Sequence, residues 1–338
     1  MPVAVITGAN CGVGLAIARR LLSSDCIPSF SVVLACRNTS KAAGARTLLL
    51  EEYPQATVDV VELDTSSVAS VKRAAIDIRK RYQRIDMLFC NAGAMAIAGI
   101  DVGGIVRGLA TQPVAFFESS QALRQARGQV TGDGLGLTFA TNVFGHFLLI
   151  AQLADAMASD KSSFGNEARV VWTGSATASR QQFRRSDYQH VWGGAAYESS
   201  KFIVDQIAEP LDRRLRARGI RCVVAEPGNV CSNFLGSLTV PLLPLLVAAV
   251  FYLLRTVAGI SRFTITPDCA AVACCHAALA PAVDPRIKYH SRATRLGTSY
   301  VEELPLRGCK STGEFLLSRM DALASTLADQ QIDQPTAI

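Results

Sequence analysis

The sequence is poor in the signals that mark metal-binding, disulfide-stapled, secreted or nucleic-acid-binding proteins. Its 10 cysteines, at 11, 26, 36, 90, 222, 231, 269, 274, 275 and 309, include no Cys-x-x-Cys and no Cys/His ligand spacing. Neither a zinc site nor a disulfide framework is expected from them; reduced thiols in a cytosolic setting are. The net charge is +6, with lysine and arginine scattered and not alternating with aromatics, so no nucleic-acid partner is expected. No charged segment followed by a cleavable apolar run opens the chain, and residues 3–6 read instead as a strand. No acidic residue lies between Asp25 and Glu51, and no charged residue of either sign between Pro227 and Leu254. Absent too is any shift in composition that would mark a linker. The 338 residues, 49% of them hydrophobic, are therefore read as a single domain able to bury a large core.

Against these absences stands Tyr197-Glu198-Ser199-Ser200-Lys201. Tyr197 and Lys201 are four residues apart, so on a helix they lie one turn above the other on the same face. A free phenol titrates near pH ~10, and a cation held beside it favours the phenolate. The group is thereby brought toward the range in which it can give a proton to a carbonyl oxygen at neutral pH. The pair alone is weak, since Tyr-x-x-x-Lys is common on exposed helix faces. Its weight comes from the rest of the chain.

Residues 3–6 form a short apolar run ending at Thr7-Gly8-Ala9-Asn10-Cys11-Gly12-Val13-Gly14, after which residues 15–22 have helical spacing. Strand, glycine turn and helix point backbone N–H groups and a helix N-terminus at a phosphate. The glycines follow G-x-x-x-G-x-G and not the G-x-G-x-x-G fingerprint. A second strand at 31–35 runs into Cys36-Arg37-Asn38. A site for NAD would place an acid about 20 residues past the glycines to bind the ribose hydroxyls. Here Arg37 stands instead where a 2′-phosphate needs a cation, so NADPH (NADP when oxidised) is expected over NADH, the alternative being an ordinary surface arginine. A third strand, 58–63, ends at Asp64, which can accept a hydrogen bond from an adenine amino group. A fourth, 85–90, ends in Asn91-Ala92-Gly93, small enough to let the chain pass close to a cofactor or simply to start a turn. Four β-α units in succession predict a doubly wound parallel sheet of the Rossmann type.

Residues 94–134 are less regular and rich in glycine, and read as an insertion. Asn142 lies in the following helix on an apolar face and needs a partner, either a backbone group or an active-site water. His146 is read as a packed helix histidine. A fifth strand, 169–173, delivers Ser175 to the carboxyl edge of the sheet, where ligands bind; a turn or cap serine is the alternative. A sixth, 221–225, leads into Glu226-Pro227-Gly228. Residues 286–290 read as a seventh, preceded by Pro285, then a loop and a final amphipathic helix near 312–327.

Thr7-Gly8-Ala9-Asn10-Cys11-Gly12-Val13-Gly14, Asn91-Ala92-Gly93, Asn142, Ser175 and Tyr197-x-x-x-Lys201, in this order, resemble the short-chain dehydrogenase/reductase superfamily over most of the chain. The long insertion, Thr141 to Phe147, Asp187-Tyr188-Gln189-His190 and Ile287-Lys288-Tyr289 narrow the resemblance to members that reduce keto groups of sterols. The resemblance implies Tyr197 as proton donor, Lys201 holding the nicotinamide ribose and lowering the tyrosine's pKa, Ser175 bonding the substrate carbonyl, and Asn142 holding a water that links Lys201 to solvent. It also implies Thr7, Gly8, Asn10, Gly12, Val13, Gly14, Arg37, Asn38, Asp64, Asn91, Gly93, Tyr197, Lys201, Pro227 and Gly228 around NADPH. Where the family often has a threonine four residues past Gly228, this chain has Ser232, which keeps the hydroxyl; Cys90 replaces the first of the usual two asparagines before Ala92-Gly93. The implied substrate is a sterol or steroid ketone, with a retinoid or other lipid carbonyl as the alternative, and a non-catalytic cofactor-binding scaffold as one from another class. Implied protein partners are a second copy or enzymes of the sterol pathway.

The uncharged stretch contains a run, 240–254, that is apolar throughout, with Pro241 and Pro244 near its start. Its 15 residues fall short of the ~20 that span a bilayer, and a crossing there would separate the seventh strand from the other six. Residues 238–258 are expected to form a helix over the substrate cleft that dips into one leaflet; a buried core or dimer helix is the alternative. Together with the resemblance this places the protein on the cytosolic face of the endoplasmic reticulum membrane.

Overall fold

A computed structural model describes residues 1–24, 30–111, 116, 122–158, 167–230 and 243–329. Its centre is an eight-stranded sheet built from β1 (Val3–Thr7), β2 (Ser31–Cys36), β3 (Thr57–Glu62), β4 (Met87–Cys90), β7 (Ala168–Thr173), β8 (Ile220–Glu226), β9 (Ile287–Ala293) and β10 (Ser299–Pro305), in the order β10-β9-β8-β7-β4-β1-β2-β3. Every neighbouring pair is parallel except β10 with β9. Strands β1, β2, β4, β7 and β8 are buried along their whole length. That explains their almost unbroken apolar runs: helices cover both faces, leaving no wet side to demand alternation.

Helices α1 (Gly12–Leu22), α2 (Thr39–Glu52) and α8 (Pro267–Leu279) pack on one face around Ile17, Leu21, Leu34, Leu49 and Phe89. On the other lie α3 (Val68–Arg81), α5 (Leu137–Met157), α6 (Ala196–Leu215) and α9 (Lys310–Asp329), around Phe144, Trp172, Ile207 and Met320. Helix α5 is long and apolar enough to cross a membrane, but 78% of its most apolar window is buried inside the protein, so it is a core helix. It contains one wide π turn, Ala140–Phe144, of the kind that gathers at functional positions. Gly145 follows because a Cβ there would overlap the Thr65 carbonyl.

Two elements depart from the sequence reading. Strand β10 is an eighth strand where a loop was expected; its run Ser-Tyr-Val-Glu-Glu-Leu-Pro lies half exposed along the sheet edge, with Val301 its one hydrophobic side chain packed on the core. The 94–134 insertion holds a small antiparallel sheet of β5 (Ile97–Ile100) and β6 (Leu123–Gln125), separated by α4 (Val102–Thr111). The apolar run appears as helix α7 (Leu243–Thr256), while Ser232, Pro241 and the rest of 231–242 fall outside the described residues.

Candidate active site

The carboxyl ends of β1, β2, β3, β4, β7 and β8 share one edge, and each carries part of the predicted site. At β1 the chain turns through Gly8 (φ +66°) and Gly12 (φ +57°), both in the left-handed region that favours glycine. A Cβ at Gly14 would lie 2.5 Å from the Gly8 carbonyl oxygen and 2.6 Å from Asn91 Nδ2, so the first turn of α1 can pass only as glycine. Cys11, at the N-cap, makes no side-chain cap bond, which leaves first-turn N–H groups beside Asn10, Gly12 and Val13 facing out of the turn. Such a cradle fits a dinucleotide pyrophosphate.

Thr7 and Asn91 are spent largely on the protein itself. Thr7 Oγ1 accepts from the backbone N–H groups of Asn91 (2.9 Å) and Ala92 (2.8 Å) and lies 2.9 Å from His146 Nε2; Asn91 Nδ2 donates to the Thr7 carbonyl at 2.9 Å. With both lone pairs of the hydroxyl engaged, its proton goes to the imidazole or to the Phe89 carbonyl 3.1 Å away. Burial pushes the His146 pKa down to about 3; the ring is neutral and structural, as expected. Past β2, Arg37 is largely exposed, with Nη1 3.9 Å from Asp64 Oδ2. Asn38 caps α2 by accepting from the Lys41 N–H, and Asp64 accepts from the N–H and hydroxyl of Ser66. Pro227 and Gly228 (φ +74°) turn past β8 against Thr264, whose hydroxyl bonds the Pro227 carbonyl.

The four catalytic candidates come together from β7, α5 and α6. Ser175 Oγ lies 3.0 Å from the Thr177 hydroxyl and accepts from the Thr177 N–H at 3.2 Å, close enough to the Tyr197 phenol to lower its pKa, and Lys201 Nζ lies 5.6 Å from the centroid of the tyrosine ring. Its donor is aimed at the Thr173 carbonyl, 2.7 Å away. Asn142 stands behind them: its Oδ1 accepts from the Ala94 N–H (2.8 Å), and its Nδ2 donates to the Ala94 carbonyl and to Ser200 Oγ, each at 3.0 Å. Of the two partners the sequence allowed, it has taken backbone, and it ties the turn after Gly93 to α6.

The electrostatics depart from the simple tyrosine–lysine picture. Burial pushes the Tyr197 phenol up to about 12, the nearby Ser175 hydroxyl opposes this, and the charges of Glu198 and Glu226 add to it. Burial and then the neighbouring Lys288 ammonium push Lys201 down to about 8. Desolvation is the largest influence on both groups, and neither is among the leading influences on the other.

Several polar residues around this set carried no sequence signal. Gln125, on β6, accepts the Tyr197 N–H at 2.9 Å and donates to Glu198 at 2.6 Å. Asp205 and Lys288 form a buried ion pair beside Ser175. Glu226 lies within 2.5 Å of His290 Nδ1; burial pushes its carboxyl up, but His290, Lys288 and Arg292 overcome that and leave it at about 2. Only the i, i+4 spacing of Tyr197, Lys201 and Asp205 could have marked any of these beforehand.

Comparison with known proteins agrees with this arrangement. Residues 2–240 match the short chain dehydrogenase family model. The chain is 35% identical over 303 residues to 3-keto-steroid reductase/17-beta-hydroxysteroid dehydrogenase 7 of Rattus norvegicus, covering 89% of this chain and 88% of that protein. It is 34% identical to the Homo sapiens protein of the same name (88% and 86%) and 32% identical to 3-keto-steroid reductase erg27 of Schizosaccharomyces pombe (90% of each). Among solved structures, a short-chain dehydrogenase/reductase from Burkholderia xenovorans superposes with a TM-score of 0.56 at 20% identity, covering 84% of this chain and 94% of that one. With its glycine turn, its Ser175–Tyr197–Lys201 cluster and these relatives over nearly nine-tenths of its length, the chain belongs to the short-chain dehydrogenase family and is an oxidoreductase.

Proposed function

We propose that this enzyme reduces the keto group of a sterol or steroid with NADPH, most directly the 3-keto group of a sterol intermediate, with the 17-keto group of steroids as a second substrate. The observation that carries the reading is the gathering of Ser175, Tyr197 and Lys201 at the carboxyl edge of the sheet, in a chain whose relatives are named 3-keto-steroid reductases. The glycine turn at 8–14 would hold the pyrophosphate, Arg37 and Asn38 the 2′-phosphate end, Asp64 the adenine, Asn91, Gly93, Pro227 and Gly228 the nicotinamide half with Tyr197 and Lys201. When bound, the reduced nicotinamide supplies the hydride.

The protein supplies the proton and the geometry. Ser175 Oγ and Tyr197 Oη converge on one point and polarise a carbonyl oxygen placed between them. As charge develops on that oxygen, the phenolic proton moves to it. A neutral phenol at pH 7 is the required starting state, and burial secures it. Lys201, charged below about 8, steadies the phenolate left behind. Asn142 holds Ala94 and Ser200 in place around the pair, and a water on its remaining lone pair would return a proton from solvent through Lys201.

Helix α7 supports a membrane-facing reading. Leu245, Leu253 and Val257 on and just past it are 68%, 59% and 67% exposed, whereas Phe251 stacks inward on Phe263 with ring centroids 4.6 Å apart. A helix apolar on both sides, one packed and one bare, suits an enzyme lying on the cytosolic face of the endoplasmic reticulum and drawing a lipid from it. The test is NADPH oxidation by purified protein with a detergent-dispersed 3-keto sterol, beside estrone and retinal and with NADH as control. Turnover on the sterol with NADPH preferred is expected; turnover on retinal alone would move the substrate class, and none on any ketone would overturn the enzymatic reading.

A further inference from the structure

Two lysines, 87 positions apart in the chain, grip the end of the strand that presents Ser175. Lys201 Nζ donates to the carbonyl of Thr173 at 2.7 Å, and Lys288 Nζ donates to the carbonyl of Ser175 at 3.1 Å. Gly174 lies between the two held carbonyls, and its N–H donates to the Ala225 carbonyl at 2.7 Å. A Cβ on Gly174 would lie 3.0 Å from Lys288 Cε and 2.8 Å from Val224 Cγ1, so glycine is what lets the Lys288 stem pass. Lys288 is itself fixed by Asp205, whose two carboxylate oxygens it meets at 3.0 and 2.8 Å. Asp205 follows Lys201 by one turn of α6. All three side chains are buried.

A buried ammonium is costly unless it is paired and hydrogen-bonded, and an ion pair adds little to stability that a pair of apolar residues could not. What this one does that apolar residues could not is donate to the main chain of the serine that touches substrate. We propose that Lys288, anchored by Asp205, is a positioning residue for carbonyl reduction, holding the Ser175 main chain so that its hydroxyl is presented to the substrate carbonyl beside the Tyr197 phenol. The inference rests on the reductase reading above, and extends it to a residue on β9 that touches neither cofactor nor carbonyl.

The same ammonium faces Lys201. The other titratable groups that influence Lys201 are Asp205 on its own helix, Cys90 on β4, His146 on α5 and Cys274 on α8, with Tyr197 one turn before it. Lys288 is the strongest charge among them and Asp205 the next, acting in the opposite direction. Removing both therefore raises the Lys201 pKa, and the fall of activity at alkaline pH moves upward.

The test is the double variant Lys288→Met/Asp205→Leu, which removes both charges together and strands neither, so that the fold survives. Expected are a kcat lowered by about tenfold from misplacement of the serine, a KM for NADPH within about twofold of native because the cofactor cradle is untouched, and the alkaline limb at higher pH. Lys288→Arg keeps the charge and the anchor but not the ammonium's reach, and should lower kcat with the limb unmoved. Native kcat and pH profile in the folded double variant, or native kcat in Lys288→Arg, overturn the proposal. If native protein reduces no sterol ketone, the substrate assignment fails by itself, and a crystal structure of the double variant decides the matter without turnover. Ser175 displaced from its native position relative to the Tyr197 phenol supports the clamp; an unmoved serine refutes it.

Discussion

The two ends of the site are built from different materials. The cofactor end is made of backbone: left-handed Gly8 and Gly12, the Gly14 contact with the Gly8 carbonyl, and Thr7 and Asn91 used to lock two turns together. The catalytic end is made of buried side chains drawn from β4 to β9, whose charges set one another's protonation. Backbone recognition tolerates any side chain that stays out of the way, so its failures are steric. Buried charge is tolerant of shape and intolerant of loss, so its failures are electrostatic and chemical.

The largest separation of the two ends should come from Tyr197→Phe. Removal of the acid is expected to lower kcat by about 10³-fold while NADPH still binds, measured by turnover and by quenching of cofactor fluorescence; near-normal turnover would dismiss Tyr197 as donor. Gly14→Val attacks the other end. Crowding of the Gly8 carbonyl costs about 1–3 kcal/mol, so NADPH affinity should fall by up to about a hundredfold, with kcat at saturating cofactor close to native. Arg37→Ala sharpens the cofactor side further: loss of a charge-assisted phosphate contact, about 1.5–3 kcal/mol, should cut the preference for NADPH over NADH by about tenfold or more, leaving NADH kinetics unchanged. The smallest effect is expected from pH alone. Lys201 sheds its proton as pH rises through about 8, so kcat/KM for reduction should fall by about half between pH 7 and pH 8; an unchanged value across that step would remove Lys201 from the electrostatics.

The same contrast explains what could be read from the sequence. Glycines at 8, 12 and 14, Asn91-Ala92-Gly93 and Tyr197-x-x-x-Lys201 are legible because turn geometry and helix pitch dictate spacing along the chain. Strands β1, β2, β4, β7 and β8 were legible as apolar runs for a similar reason, since burial on both faces leaves one composition. Strand β10 was not, because an edge strand carrying Glu302 and Glu303 in solvent resembles a loop. Lys288, Asp205 and Gln125 were hidden for another reason: their partners lie 83, 83 and 72 residues away, and no local pattern encodes a pairing made only in the folded sheet. The rise of the Tyr197 pKa, where spacing suggested a fall, likewise depends on burial that a helix wheel does not show.

Helix α6 begins at Ala196 with no side-chain cap of its own, and Gln125 completes its first turn from within the insertion. The order of the turn that carries the catalytic phenol is therefore borrowed. Opening of the β5–β6 pair is therefore expected to fray the first turn of α6 with it, separately from the central sheet. Amide exchange at residues 197–199 should keep pace with residues 97–100 and 123–125, and both should exchange faster than β7 and β8. A ligand that stills the β5–β6 pair then stills the proton donor with it.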